Sequence, residues 1–80
     1  MKGRILIVDD DANMREGVAD ILEIEGYTTA SAASAAEAVA QVKATQFDVI
    51  LMDYNLTDGT GIDAIRMIRE LNTESQILMV

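Results

Sequence analysis

Ile5-Leu6-Ile7-Val8-Asp9-Asp10-Asp11 and Val49-Ile50-Leu51-Met52-Asp53 share one design, a short uninterrupted apolar run that stops at a carboxylate. Runs of this length without polar alternation read as strands buried on both faces of a parallel sheet. If the two strands are neighbours, Asp9, Asp10 and Asp53 converge at the carboxyl edge, where open α/β sheets hold their ligands. Two carboxylates about 4 Å apart repel by about 4 kcal/mol at an effective dielectric of about 20. A cluster of three therefore requires a bound cation or retained protons, and Mg²⁺ is the economical occupant.

Outward from these runs, the hydrophobic period alternates between continuous short stretches and helical spacing, the pattern of repeated βα units. Four strands and three helices are expected. After a first strand over 4–8, Asp11 is placed to cap a helix whose Met14, Val18, Ile21 and Leu22 share a face, and Gly26 ends it. A short strand of small residues over 27–31 comes next. Ser34-Ala35-Ala36-Glu37 fits the S-x-x-E capping box, opening a helix with Ala38, Val39 and Val42 inward and its end near Lys43 or Thr45. The third strand covers 47–52, and a polar loop follows it. Ile62, Ile65, Ile68 and Leu71 mark a third helix whose isoleucines read as core, with Asn72 at its end and a fourth strand over 76–80.

Composition narrows the chemistry further. Eighty residues, half of them apolar, make one small domain, and a domain of this size is marginally stable without a staple or a partner. The chain has no cysteine and no histidine, which excludes disulfides, thiol nucleophiles, zinc thiolates, Ser-His-Asp and Cys-His catalysis and histidine-based metal sites. Fourteen acidic residues against six basic give a net charge of −8, which argues against direct contact with a nucleic-acid backbone. Lys2 and Arg4 precede an apolar run of only four residues that meets three aspartates, unlike a signal peptide. No run approaches the length of a membrane span, so a soluble, cytoplasmic protein is expected.

With strands, acidic edge and loop in place, the chain resembles the receiver domain of bacterial two-component response regulators over its whole length. The motifs that carry the likeness are Ile5-Leu6-Ile7-Val8-Asp9-Asp10, Asp48-Val49-Ile50-Leu51-Met52-Asp53, and Gly61 eight residues beyond Asp53. The resemblance implies an α/β, flavodoxin-like, doubly wound parallel sheet with strand order 2-1-3-4 for the strands present. It implies that Asp53 is the phosphoacceptor for a sensor histidine kinase. Asp10, and Asp9 mostly through water, would hold Mg²⁺ together with Asp53 and the backbone carbonyl of Asn55. Met14 and Arg15 match loop positions that shape access to the site.

Two departures from the family pattern stand out. Thr57 replaces the usual Pro four residues after the acceptor, which loosens the loop without removing chemistry. The fourth strand, 76–80, has no sequence after it to cover its faces or edge, so a fragment is expected, residues 1–80 of a receiver lacking the last strand and two helices. The family's switch Ser or Thr and its Lys would lie beyond Val80, impairing the switch while the acceptor and metal ligands remain. Such a fragment would self-associate as a homo-oligomer through the surface left uncovered.

Plainer readings apply to several acidic residues. Asp11 is an ordinary helix cap, Asp58 a turn residue ahead of Gly59, and Glu16, Asp20, Glu23 and Glu25 a solvated helix face. Taken alone, Asp9 and Asp10 are equally well solvated loop acids. Gly59-Thr60-Gly61-Ile62-Asp63-Ala64 satisfies G-x-G-x-x-A, but it begins six residues after the strand and not in the first turn, which makes it a false match. Asp53-Tyr54-Asn55-Leu56-Thr57 resembles the nucleophile loop of haloacid-dehalogenase-type phosphohydrolases, where an aspartate is also phosphorylated. Asn55 replaces that family's general acid, however, and the motif belongs on its first strand. A purely structural, self-associating module is the remaining alternative.

Overall fold

The computed structural model describes residues 2–56, 58–71 and 74–80. Its elements, in order, are β1 (Arg4–Val8), α1 (Ala12–Ile24), β2 (Thr28–Ala32), α2 (Ala35–Ala44), β3 (Val49–Met52), β4 (Asn55–Leu56), β5 (Gly59–Thr60), α3 (Gly61–Leu71) and β6 (Gln76–Met79). The main sheet is parallel with order β2-β1-β3-β6. This is the expected doubly wound, flavodoxin-like α/β arrangement, with β6 as the fourth strand.

β1 explains why the sheet forms where it does. Ile5, Leu6, Ile7 and Val8 are all at least 95% buried, and each contributes about 1.5–3 kcal/mol relative to exposure. Alternate residues face opposite sides. The register aligns Leu6 with Ala30 and Ile50, and Ile50 with Ile77, a row that packs with Ala38, Val39 and Val42 of α2 and Ala64 and Ile68 of α3. On the opposite face Ile7 and Leu51, level in the register, lie beside Met14 and Val18 of α1, as right-handed crossovers in this strand order require.

Local signals account for the helix ends. The Asp11 carboxylate accepts the N–H groups of Asn13 and Met14, and the Ser34 hydroxyl accepts that of Glu37. At the end of α1 the N–H of Gly26 reaches the Glu23 carbonyl and that of Tyr27 reaches Leu22, both at 3.0 Å, with Gly26 at φ 98°. This is a Schellman closure. It uses Tyr27 to finish the helix, so β2 begins at Thr28 and not at Tyr27. β3 likewise starts at Val49, while Phe47, two residues earlier, is buried in the core.

Three expectations are corrected. In α1 no residue is fully buried; Met14 is 52% and Ile21 64% exposed. The half-buried stripe is Arg15, Val18, Ala19 and Leu22, so Met14 and Ile21 flank the contact because α1 is the helix on that face. In α3 the buried positions are Gly61, Ala64 and Ile68, whereas Ile62 and Leu71 are exposed. A strict three-residue repeat precesses about 60° per step on a helix of 3.6 residues per turn, so four such residues cannot share one face. The loop after β3 is no plain loop: β4 and β5 pair in antiparallel, Asn55 opposite Thr60 and Leu56 opposite Gly59. Thr57 and Asn72, singled out in the sequence, lie outside the described residues.

Candidate functional site

The register Val8 to Met52 brings the next residues of β1 and β3 level at the carboxyl edge. The ladder continues one step beyond the strands. Asp53 donates its N–H to the Val8 carbonyl at 2.9 Å, and Asp9 donates to Ala32 at 3.1 Å. Both side chains therefore leave from fixed backbone. Asp9, Asp10 and Asp53 each offer a carboxylate oxygen, and these lie within 4.8 Å of one another. Asp9 and Asp53 are half-buried and Asp10 is exposed.

Hydrogen bonds shape the loop around this cluster. Asp9 Oδ1 accepts the N–H of Asp11 at 2.9 Å, an Asx turn that holds the acidic loop in place. Arg15 Nη1 donates to the Asp9 carbonyl at 2.7 Å, bringing a guanidinium to the same loop from the next turn of α1. Among the described residues none of the three carboxylates forms an ion pair.

The donor set suits a hard divalent ion. Mg²⁺ takes oxygen ligands at about 2.0–2.1 Å in an octahedron, so trans ligands stand about 4 Å apart. Three oxygens within 4.8 Å match that cage if at least one carboxylate acts directly and another through a water. Asn55, the fourth expected ligand, lies two residues past Asp53 at the start of β4 and is exposed. An apolar pocket of about 110 Å³ lined by Ile7, Met14, Val18, Leu51 and Val80 adjoins Asp9 and Asp53. A larger groove, of about 540 Å³, lies at the opposite edge of the sheet around Lys2, Arg4, Tyr27 and Asp48, away from the acidic residues.

Gly61 has a structural reason to be where it is. A Cβ at this position would stand 2.5 Å from the Asp53 carbonyl oxygen and 3.1 Å from the side chains of Met52 and Met79. Its N–H donates to the Tyr54 carbonyl at 2.6 Å, folding α3 back against the end of β3.

Residues 5–80 match the response regulator receiver domain family. The chain belongs to that family. Among its receiver relatives, the chemotaxis protein CheY of Bacillus subtilis is 38% identical over 80 residues, covering 99% of this chain and 67% of that protein. A CheY-like receiver structure from Methanospirillum hungatei superposes with TM-score 0.95 at 34% identity, covering 99% of this chain and 63% of the other. The response regulator TrrA of Thermotoga maritima, solved in complex with Mg²⁺-BeF, gives TM-score 0.90 at 30% identity, over 99% of this chain and 68% of that one. The chain thus spans about two thirds of these relatives. As a receiver it is the phosphoacceptor type of module in two-component signalling, and the phosphohydrolase alternative finds no support.

Two interactions of the site escaped the sequence reading. Asp58, read as a turn residue, uses both carboxylate oxygens on α2: Oδ1 accepts the N–H of Ala35 at 2.9 Å and Oδ2 that of Ala36 at 3.0 Å. These two bonds, Ala35 first, hold its carboxyl below the usual 3.8. No local sequence signal announces a partner 22 residues away. The bond from Arg15 to Asp9 was legible only as proximity, since a side chain six residues on reaches back along the first helical turn.

Proposed function

We propose that Asp53 is the phosphoacceptor of this receiver, that Asp9, Asp10, Asp53 and the Asn55 carbonyl hold Mg²⁺, and that the donor is the phosphohistidine of a sensor histidine kinase. The observation that carries this reading is the convergence of three unpaired carboxylates within 4.8 Å at the sheet edge of a chain that belongs to the receiver family. An Asp53 carboxylate oxygen attacks phosphorus, the P–N bond to the imidazole breaks, and its electron pair stays on the ring nitrogen. Mg²⁺ held by these residues would offset negative charge on the transferred phosphoryl group. The chain's own task is positional. The Val8 carbonyl of β1 fixes the Asp53 backbone by accepting its N–H, and Gly61 leaves its carbonyl undisturbed.

Such a module modifies itself and no separate substrate, and its net charge of −8 speaks against nucleic acid as a direct ligand of this segment. No helix among the described residues is long and apolar enough to cross a membrane, which agrees with a cytoplasmic setting. The test is the intact mass of the chain after incubation with acetyl phosphate and Mg²⁺. One phosphoryl adduct is expected, absent in Asp53→Asn and in a metal-free control. An adduct that persists in Asp53→Asn assigns the acceptor elsewhere.

Self-association is a second reading, with its own observation. β6 is an edge strand, and Leu78, Met79 and Val80 are 53%, 41% and 78% exposed. Unpaired edges with apolar side chains recruit other strands, which supports a homo-oligomer formed through this edge.

A further inference from the structure

The hairpin after β3 is anchored at one end by the Asp53 N–H on Val8 and at the other by the Gly61 N–H on Tyr54. Between these anchors stand Asn55 and Leu56, then Gly59 and Thr60 on the returning strand. Leu56 is buried in the core, but Asn55, whose carbonyl is the backbone ligand in the proposed site, is on the exposed side. A Pro at position 57 would fix φ and stiffen the turn, and this chain has Thr there. The hairpin has a further restraint beside these two backbone anchors.

Asp58 supplies it. Its two oxygens take the N–H groups of Ala35 and Ala36, while Ser34 caps the next one, that of Glu37. The first three amides of α2, which otherwise lack partners in any helix, are thereby shared between a residue of the helix and a residue of the hairpin. A carboxylate bound by two amides at the positive end of a helix dipole makes charge-assisted bonds with fixed direction. Gly59, at φ 146°, lets the chain turn directly after Asp58 and begin β5. The hairpin is therefore tied to α2 at its tip as well as to the sheet at its base.

We propose that Asp58 is a positioning residue of the acidic site: by clamping the hairpin tip to the start of α2 it fixes the Asn55 carbonyl beside Asp53 and sets the affinity for the divalent ion. The proposal rests on the metal set given under Proposed function. Asp58 is outside the proposed ligand set and its two carboxylate oxygens are taken by Ala35 and Ala36, so its removal raises the Mg²⁺ requirement and leaves the phosphoryl uptake at saturating Mg²⁺ intact.

The test is a Mg²⁺ titration of the 80-residue chain followed by the backbone amide resonances of Asp9, Asp53 and Asn55, with phosphoryl uptake from acetyl phosphate measured by intact mass across the same range. Asp58→Ala is expected to raise the Mg²⁺ midpoint about tenfold, as loss of an outer-shell partner does, with uptake restored at high Mg²⁺. Asp58→Asn, which keeps one strong acceptor, falls between it and the parent and remains informative if the alanine variant does not fold. Ser34→Ala weakens the same end of α2 without touching the hairpin, and its midpoint stays at the parental value. Midpoints for both Asp58 variants within twofold of the parent would overturn the proposal, as would an equal shift in Ser34→Ala, because either result makes Asp58 a helix cap alone. A parent chain whose resonances ignore Mg²⁺ and which takes no phosphoryl group rejects the metal site itself, and the proposal with it.

Discussion

Gly61 approaches Asp53 so closely that a methyl group on its Cα would lie 2.5 Å from the Asp53 carbonyl oxygen. The contact is with backbone, which cannot rotate away as a side chain can. Gly61→Ala must therefore move β3 or α3, and overpacking of this kind costs about 1–3 kcal/mol. The expected outcome is a lower urea midpoint with an unchanged slope, accompanied by slower phosphoryl uptake because the displaced atom belongs to the proposed acceptor residue. A stability equal to that of the parent would show that α3 can tilt to make room.

Charge repulsion at the carboxyl edge gives a prediction whose sign depends on the metal. In metal-free buffer, Asp10→Asn removes one member of a cluster held within 4.8 Å, relieving about 1 kcal/mol for a water-exposed pair at about 4 Å. For a chain of this size that corresponds to several degrees of Tm. Mg²⁺ held at the proposed site would stabilise the folded chain by mass action, so the parent should gain Tm on adding Mg²⁺ and Asp10→Asn should gain much less. Thermal unfolding with and without EDTA checks both halves. A variant less stable than the parent in EDTA would mean that repulsion is already relieved in the folded chain.

How much of this was legible beforehand follows from what kind of interaction each residue makes. The apolar runs ending in Asp9 and Asp53 announced both strands and their meeting place, since burial on both faces leaves little choice of partner or register. Asp11, Ser34 and Gly26 announced helix ends because capping is a contact within a few residues. The face of a helix is less legible than its existence. Met14 and Ile21 read as core, but only one side of α1 meets the sheet, and Ile62 and Leu71 belong to a repeat that rotates away from it. Asp58 was illegible for a further reason. Its partners on α2 become neighbours only through the crossover that places α2 and α3 on the same face of the sheet.

The Asp58 clamp also predicts a pH dependence. Hydrogen bonds from Ala35 and Ala36 lower its carboxyl below 3.8 in the folded chain, so the unfolded chain binds the proton more readily. Its contribution to stability is complete above 3.8 and is lost as pH falls from there through the lowered folded value. The parent should exceed Asp58→Asn in urea midpoint at neutral pH, with the difference narrowing on acidification below 3.8. Urea titrations of both proteins at matched pH values measure it. A constant difference across that range would mean that the ionised form is not what α2 holds.

The exposed edge predicts concentration-dependent assembly. β6 offers an unpaired ladder side, and Leu78 and Val80 expose apolar surface beside it. A lysine on an edge strand opposes pairing by charge and by the cost of desolvating it. Leu78→Lys replaces a side chain that is 53% exposed, so its effect on the fold should be small. Sedimentation across a concentration series should show the parent gaining mass and the variant remaining near 8.7 kDa, with matching far-UV circular dichroism. Equal association by both proteins would move the interface away from β6, and the exposed flank of α1 with Met14 and Ile21 would be the next surface to charge.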